Sequence, residues 1–394
     1  MMKKVRVGIA GAGFAARFHV SSLQRVYGVS VELAGVTSLR AESREAFGKK
    51  YNIPVYDNIQ SMLPHIDVLD ICSPPSAHDE GLLLACEKKV NVICEKPLTG
   101  YFGPPGCGPE FRGDKEPKEP MLMKVVEKLK QISRAIKNSG ITFCYAENFV
   151  YAPAIQKERE IVEKTGAQIL RIQGEESHSG STSPVYGIWR FQGGGSLMGK
   201  VCHPLSAALY LKRIEGIARN GVPIRPKTVS CRCEKITSLP GYRDLGFLRT
   251  GYYDTEDHGW MHVTFEDGTI ADVIAGEIVL GGINNYVEVF ANNHRTRCNL
   301  SPVPNLEVFN PKGAQFADIY TVEKINTKEG WTAISPDENY TLGYLAEMQD
   351  FITCIADKKS PQSDISLACD TISAIYAAYL SDERKGAEVE IPLV

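Results

Sequence analysis

Short apolar runs alternate with longer mixed stretches through the first third of the chain. Residues 5–10, 31–36, 66–72 and 90–94 are nearly all apolar, which is typical of strands buried on both faces of a parallel sheet. Helix-compatible stretches separate most of these runs, and a last run of the same kind occupies residues 141–145. This order predicts an α/β domain with a doubly wound parallel sheet.

The pattern changes after residue 147, where strand-like runs dominate. The predicted strands are 168–175, 228–236, 259–265, 269–275 and 286–291. Glu266-Asp267-Gly268 has the composition of a hairpin turn between two of them. Two helices at about 342–357 and 365–380 close the chain. We therefore expect a Rossmann domain at 1–146 and an α+β domain with a large, mostly antiparallel open sheet at 147–394.

Composition narrows the class of protein. The 394 residues are 43% apolar and 23% charged, and 44 basic against 47 acidic residues give a net charge of −3. A soluble globular protein is therefore expected, without a nucleic-acid or anionic-membrane surface. An apolar run long enough to span a bilayer is missing, and the N-terminus does not resemble a signal peptide, so the expected location is the cytoplasm.

Eleven cysteines with scattered spacings and no C-x-x-C pair predict free buried thiols in a reducing compartment. Cys231-x-Cys233 has a spacing that suits alternate residues of a strand better than a zinc knuckle. We therefore predict no metal site. A cluster of Glu147, His178, Cys202 and His203 is the alternative, which the sequence cannot test.

A glycine turn directly after the first strand predicts a dinucleotide site. Gly11 permits a tight turn, Gly13 lets the backbone approach a pyrophosphate, and Ala16 lets the following helix pack closely. Phe14 and Ala15 begin that helix and are candidate cofactor contacts. The order of strand, G-x-G-x-x-A motif and helix is much stronger evidence than the motif alone.

The second strand ends without the acidic residue that usually bonds the ribose 2′-hydroxyl of NAD. Ser38 and Arg40 stand there instead and could hold a 2′-phosphate. The cofactor is therefore predicted to be NAD or NADP, with NADP slightly favoured. The alternative is that Arg40 is a solvated residue at the start of a helix.

The next two strands end in Ser73-Pro74-Pro75-Ser76-Ala77-His78 and in Glu95-Lys96-Pro97. Ligands gather at the carboxyl ends of the strands in such a sheet, which makes Lys96 a candidate proton donor or carbonyl polariser. The predicted cofactor contacts at these strand ends and at the end of the last strand are Ser73, Pro74, His78, Glu95, Lys96 and Asn148.

In order and spacing, these motifs resemble the glucose–fructose oxidoreductase / inositol dehydrogenase (Gfo/Idh/MocA) family. The resemblance covers essentially the whole chain apart from an insertion. It implies that Lys96 contacts substrate and nicotinamide ribose, that the bond before Pro97 is cis, and that an open sheet covers the substrate. It also suggests a homo-oligomer, a dimer or a tetramer, assembled through that sheet.

The triple-glycine segment from Gly193 to Pro204 resembles the family's segment in which an aspartate and a histidine four residues later share a helix face. His203 matches the histidine and is the first candidate for the base that takes a hydroxyl proton. Gly199 stands where the aspartate belongs, which is a departure. Lys200, Glu147 and His178 are the candidates to replace it.

A Gly- and Pro-rich insertion at about 100–120 leaves the sheet right after Lys96. Its composition forbids regular structure, and a helix is expected to resume at about Met121. The insertion is predicted to be a lid or a subunit contact, the alternative being an inert surface loop. Residues predicted to contact a sugar are Lys96, Tyr101, Tyr151, His178, Trp189, Arg190 and His203, with core packing the alternative for Tyr151 and Trp189.

These observations favour an NAD(P)-dependent oxidoreductase that acts on a secondary hydroxyl or keto group of a sugar, glycoside or cyclitol. Two alternatives remain. One is a redox-neutral enzyme that keeps its cofactor bound and cleaves a glycosidic bond, as some relatives in the family do. The other is a non-catalytic NAD(P)-binding protein, because one catalytic position is lost.

Overall fold

The computed structural model describes residues 2–301, 306–325 and 327–394. Its first sheet has five parallel strands in the order β2-β1-β3-β4-β5. The carboxyl ends of these strands face one edge, as the doubly wound fold requires. The strands are β1 Lys4–Ala10, β2 Ser30–Thr37, β3 Val68–Ile71, β4 Asn91–Glu95 and β5 Phe143–Ala146.

Five helices connect these strands, and the longest, which precedes β5, is amphipathic. Val125, Leu129 and Ile132 lie on its buried stripe, and Gly140 ends it in the left-handed conformation at φ +70°. The helices are α1 Phe14–Leu23, α2 Ala41–Tyr51, α3 Ile59–Met62, α4 His78–Glu87 and α5 Lys118–Ser139.

The second sheet has seven strands in the order β11-β10-β6-β9-β8-β7-β14. All neighbours are antiparallel except β6 and β9. A separate two-stranded sheet pairs β12 with β13. The strands are β6 Ile169–Ser177, β7 Pro226–Glu234, β8 His258–Phe265, β9 Ile270–Gly276, β10 Asn284–Ala291, β11 Arg295–Ser301, β12 Glu307–Asn310, β13 Gly330–Ala333 and β14 Val389–Glu390.

Helices cover one face of this large sheet. Along β8 every second residue is buried, with Met261, Val263 and Phe265 fully inside, while Trp260 and His262 on the other face are partly exposed. No helix among the described residues is long and apolar enough to cross a membrane. The helices of this part are α6 Asn148–Tyr151, α7 Pro153–Thr165, α8 Trp189–Gln192, α9 Cys202–Asn220, α10 Glu338–Thr341, α11 Tyr344–Asp357 and α12 Ile365–Glu383.

The predicted fold class is confirmed, with three local differences. The open sheet contains one parallel pair, and its strands β11 and β14 were not predicted. The insertion contains a short 3-10 turn at Gly113–Lys115, and α5 begins at Lys118 rather than Met121. Glu266 to Gly268 forms the predicted hairpin turn, because the Phe265 N–H donates to Thr269 and Gly268 takes φ +82°.

Candidate active site

The glycine turn after β1 forms a cradle at the edge of the parallel sheet. Gly11 has φ +126°, and a Cβ atom there would lie 2.5 Å from the carbonyl oxygen of Cys72, so only glycine fits. A Cβ atom at Gly13 would meet nothing within 4 Å. Gly13 caps α1 without a side chain, and the first turn of α1 carries no acidic residue. This open helix N-terminus fits a dinucleotide pyrophosphate.

Basic side chains follow the end of β2. Arg40 is exposed and Ser38 is partly exposed, and the Ser38 hydroxyl donates to the Arg40 carbonyl at 3.1 Å. Arg44 donates to the Ser38 carbonyl at 3.2 Å and pairs with Asp57 at 2.7 Å. The loop thus brings two guanidinium groups and a hydroxyl to the end of β2.

The loops after β3 and β4 are tied together by buried histidines. Both ring nitrogens of His78 contact carbonyl oxygens, that of Ser73 at 2.8 Å and that of Pro97 at 3.0 Å. His19 lies between Asp70, at 2.9 Å, and Glu95, at 3.0 Å. Burial opposes the charge on His19, but Asp70 and Cys72 outweigh burial and raise the pKa of His19 well above its usual value. His78 and Glu95, predicted as cofactor contacts, therefore position the loop that carries Lys96.

Lys96 extends from the end of β4 towards the second domain, and its ammonium donates to the Gly199 carbonyl at 2.9 Å. The peptide bond from Lys96 to Pro97 is cis. Burial lowers the pKa of the amine, but the acidic groups around it, Cys202 and Glu176 foremost, outweigh burial and raise that pKa above its usual value. Lys96 is thus a permanent cation at the junction of the two sheets.

His203, near the start of α9, forms a short contact with Glu147, which follows β5. Its Nδ1 lies 2.5 Å from Glu147 Oε1, and its Nε2 lies 3.5 Å from Glu176 Oε2. Burial lowers the pKa of His203 to about 3 and raises that of Glu147 to about 8. Near pH 7 the pair therefore holds one proton, which belongs to both groups jointly. The Phe149 ring stacks on the imidazole with centroids 4.8 Å apart.

A second buried group surrounds Lys200. Its amine lies 2.5 Å from His178 Nε2 and 3.0 Å from Glu277 Oε2. Burial lowers the pKa of Lys200 and also that of His178. The other oxygen of Glu277 accepts a short hydrogen bond from the Tyr186 hydroxyl. Tyr186, Glu277, Lys200 and His178 thus form one connected chain of polar groups.

Tyr186 occupies the space beside Gly199, where the resemblance places an aspartate. A Cβ atom on Gly199 would lie 2.6 Å from the Tyr186 hydroxyl. The carboxylate of this region is therefore supplied by Glu277, which follows β9, rather than by the helix. Lys200 belongs to a π-helical turn, Leu197–Val201, in which the Cys202 N–H donates to the Leu197 carbonyl five residues earlier.

Glu256 anchors the triple-glycine loop, residues 193–195, through hydrogen bonds from backbone N–H groups. The Gly195 and Leu197 N–H groups donate to Glu256 Oε1 at 3.1 and 3.0 Å, and the Tyr379 hydroxyl donates to the same oxygen at 2.8 Å. A Cβ atom on Gly195 would lie 2.2 Å from the Glu256 carbonyl oxygen. The loop therefore needs glycine at this position to approach Glu256.

Several predicted site residues lie elsewhere in the structure. The Tyr151 hydroxyl donates to Asp350 at 2.8 Å inside the core. The Trp189 indole donates to the Tyr101 carbonyl at 2.9 Å, and both rings are buried. These three aromatic side chains are thus packed within the protein. Asn148 donates to the Leu342 carbonyl, and the Arg190 guanidinium lies over the Phe191 ring at 4.3 Å.

The structure brings Lys96, Glu147, His178, Lys200 and His203 into one cluster and adds three residues that sequence reasoning missed. Glu176 and Glu277 end neighbouring strands, and Tyr186 comes from the loop after β6. For Glu176, the available sequence signal was its alternation with His178 at the end of a predicted strand. No sequence signal pointed to Glu277 or Tyr186, because their proximity depends on the pairing of β6 with β9.

Glu147, Cys202 and His203 are also close enough to be compared with a metal site. The 2.5 Å between His203 Nδ1 and Glu147 Oε1 is a hydrogen-bond distance, whereas ligand atoms around a tetrahedral zinc ion lie roughly 3.4 Å apart. The arrangement therefore fits proton exchange rather than metal binding. All eleven cysteines are unpaired.

The fold combines a parallel Rossmann-type sheet, which carries the glycine cradle, with a large and mostly antiparallel sheet. Comparison with known proteins supports this. Residues 5–102 match the model of an oxidoreductase family with an NAD-binding Rossmann fold. Levoglucosan dehydrogenase of Pseudarthrobacter phenanthrenivorans is 23% identical, with all of both chains covered. D-glucoside 3-dehydrogenase of Escherichia coli is 26% identical, with 68% of each chain covered.

Solved structures share the fold along the whole chain. GenD2 from gentamicin A biosynthesis, solved with NAD, has a TM-score of 0.79 at 18% identity and covers 100% of this chain and 97% of its own. Scyllo-inositol dehydrogenase of Lactobacillus casei has a TM-score of 0.70 at 16% identity, with 99% of both chains covered. Residues 5–102 thus match the Gfo/Idh/MocA family that the motifs predicted, and the solved structures show that the fold is shared along the rest of the chain.

Proposed function

We propose that this protein is an NAD(P)-dependent dehydrogenase that exchanges a hydride with a secondary hydroxyl or keto group of a sugar, glycoside or cyclitol. The observation that carries the proposal is the cluster of Lys96, His203 and Glu147 where the two sheets meet. A permanent cation and a proton-sharing pair are the groups that oxidation of an alcohol needs. Relatives named for levoglucosan, glucosides and inositol support the substrate class.

The cofactor is proposed to lie on the Rossmann domain, residues 1–146, with the substrate held mainly by residues 147–394. Gly11, Gly13 and the start of α1 would hold the pyrophosphate, and Ser73 and Pro74 would line the same edge. When bound, the nicotinamide accepts or returns the hydride. The residues of the chain supply orientation, charge and a route for the proton.

Lys96 stabilises the negative charge that builds up on the reacting oxygen as the hydroxyl loses its proton. Its ammonium donates to the Gly199 carbonyl at 2.9 Å. Lys96 therefore connects the end of β4, from which it extends, with the turn that precedes α9. A cation in this partly buried position acts strongly because little water screens it.

His203 and Glu147 exchange a proton with the substrate oxygen. In the reduction of a ketone the pair donates the proton that it holds near pH 7. In the oxidation of an alcohol the pair accepts a proton once Glu147 has ionised, which requires a pH above about 8. Reduction is therefore favoured at lower pH, and oxidation by this pair at higher pH.

The first experiment identifies the nucleotide released by denaturing the purified protein and then measures NAD(P)H formation with a panel of free sugars, glycosides and cyclitols. We expect turnover of at least one substrate, with a loss of about 100-fold or more in Lys96→Met. Glycoside cleavage that needs cofactor but leaves no net NADH would instead support the redox-neutral alternative. Cofactor binding without any chemistry would support a non-catalytic protein.

For the finer choice of cofactor we propose that NADP binds at least as well as NAD, because Ser38, Arg40 and Arg44 offer a hydroxyl and two guanidinium groups. Arg40→Ala should weaken NADP binding about tenfold, as expected for one lost charge-assisted contact, and leave NAD binding nearly unchanged. Titration of both cofactors by fluorescence measures this. Equal effects of Arg40→Ala on NAD and NADP would contradict a phosphate-binding role.

We further propose a cytoplasmic homo-oligomer, a dimer or a tetramer, assembled through the uncovered face of the large sheet. Trp260, Ile274 and Phe290 on this face are partly exposed, and apolar side chains grouped on an uncovered face mark an interaction site. Light scattering after size exclusion should give a mass of two or four chains. A Trp260→Glu variant that stayed at the same mass would argue against this face.

A further inference from the structure

The hydrogen bonds around His178 fix its tautomer. The Gly180 N–H donates to His178 Nδ1 at 2.9 Å, so this nitrogen carries a lone pair. Burial lowers the pKa of His178, and the ring is neutral. A neutral imidazole has one N–H, which must therefore be on Nε2.

The Lys200 amine faces this Nε2–H at 2.5 Å. An ammonium has three donors and no lone pair, so it could only place a hydrogen against the hydrogen of His178. A neutral amine has a lone pair that accepts the Nε2–H and keeps two hydrogens, and Glu277 Oε2 lies 3.0 Å from its nitrogen. The geometry thus requires an uncharged Lys200.

Burial and charge agree with this geometry. Lys200 is 2% exposed, and burial lowers its pKa despite the attraction of Glu277. A second ammonium would also repel that of Lys96. The charged and titratable groups that face Lys200 and His178 from the surrounding elements are Lys96, Glu147, Glu176, Tyr186, His203, Glu277 and Lys324.

We propose that Lys200 is a neutral amine in the resting protein and that it accepts the proton of the substrate hydroxyl, in the place of the aspartate that position 199 lacks. This inference rests on the proposed dehydrogenase function and adds a catalytic residue to it. His178 is a positioning residue, because its Nε2–H orients the lone pair and disfavours protonation of Lys200 before substrate arrives.

Oxidation of an alcohol removes one proton and one hydride from the substrate. The substrate hydroxyl first replaces the His178 Nε2–H as the donor to the lone pair of Lys200 Nζ. The substrate O–H bond then breaks, its proton bonds to that lone pair, and the electrons of the adjacent C–H bond would leave as a hydride that a bound nicotinamide accepts. The new ammonium then stands 3.0 Å from the Glu277 carboxylate. Lys200 is needed near pH 7 because the Glu147–His203 pair already holds its proton there.

The charge state of Lys200 can be measured without substrate or cofactor. Protein carrying ¹³C at lysine Cε is titrated by NMR from pH 5 to 10, and Lys200→Arg and Lys96→Arg identify the two signals by their loss. We expect the Lys200 signal at the neutral-amine position at pH 7 and the Lys96 signal at the ammonium position. An ammonium signal for Lys200 at pH 7 overturns the proposal.

His178→Phe tests the positioning role with the same readout. Loss of the Nε2–H donor should move the Lys200 transition to higher pH by at least one unit, while the Lys96 signal stays in place as an internal control. An unchanged Lys200 transition in this variant would show that His178 does not hold the amine neutral and would overturn that part.

Kinetics test the proton transfer. Lys200→Met should lower kcat/KM for oxidation about 100-fold at pH 7 and less than tenfold at pH 9.5, where the Glu147–His203 pair can act instead. The exposed Lys227→Met is the matched control and should behave as the wild type. Equal losses at both pH values would mean a structural role and overturn the transfer step. A neutral Lys200 in a protein that turns over nothing would overturn the proposed function and, with it, the transfer step.

Discussion

Glu147 illustrates at the scale of one residue how a buried ionisable group in the proposed active site opposes stability. Its carboxyl is fully buried, with one oxygen on His203 and the other without a hydrogen-bond partner. Burial raises its pKa from 4.5 to about 8. Between these values the unfolded chain releases a proton that the folded protein retains. Stability is therefore lost as pH rises from about 4.5 to 8.

Glu147→Gln should consequently stabilise the protein at pH 7, by up to about 3 kcal/mol if the whole shift is removed. It should also flatten the dependence of stability on pH between 5 and 8. Denaturant unfolding of both proteins at several pH values measures the effect. A variant less stable than wild type at pH 7 would show that the ionised carboxylate supports the fold.

In the proposed mechanism, kcat/KM for oxidation rises with pH around pH 8, where Glu147 ionises. Glu147→Gln should abolish this rise, because a glutamine beside His203 cannot lose a proton to make the pair a base. The pH profile of kcat/KM reports this directly. If the alkaline rise persisted in Glu147→Gln, a group other than this pair would be responsible for it.

At the scale of elements, the carboxylate missing from the helix is supplied by a strand. Gly199 leaves room for Tyr186, whose hydroxyl binds Glu277 after β9. Restoring the family aspartate by Gly199→Asp should therefore destabilise the protein, by about 2 kcal/mol as is usual for overpacking in a core. Gly199→Asp combined with Tyr186→Ala should recover much of that loss. Thermal unfolding of both single variants and the double variant measures the coupling, and simple additivity would show that the two side chains do not compete.

Sequence patterns predicted the elements better than the contacts between them. The strands of the Rossmann sheet and the motifs at their ends follow from local composition, which explains why Gly11, Lys96 and His203 could be found. The π-helical turn at Leu197–Val201 carries no composition signal that separates it from an α-helix. Glu176 and Glu277 meet the cluster only through the pairing of β6 with β9, which sequence order does not specify.

At the scale of the whole molecule, the insertion ties the two domains together. The predicted lid is packed, with Phe111 buried and the Tyr101 carbonyl accepting from Trp189. Asp114 pairs with Lys235 of the second domain at 2.9 Å. The segment that leaves the sheet after Lys96 therefore crosses to the other domain before α5 returns to the first.

Asp254 is the centre of this connection. One of its oxygens accepts the Gly113 N–H at 2.8 Å and the other accepts the Trp189 N–H at 2.7 Å, and the residue is fully buried. An amide in this place has only one acceptor oxygen, and its NH₂ group would face a backbone donor. Asp254→Asn should thus leave one buried N–H without a partner, at about 2 kcal/mol of stability.

The loss of stability in Asp254→Asn should be greatest in the insertion, because the Gly113 N–H of its backbone donates to Asp254. The parallel sheet has its own core and should be affected less. Hydrogen exchange followed by mass spectrometry should show faster exchange of residues 103–118 in Asp254→Asn and little change in β1 and β3. Asp244→Asn, on an exposed loop, is the matched control. If exchange rose equally across both sheets, Asp254 would support the fold as a whole rather than hold the insertion in place.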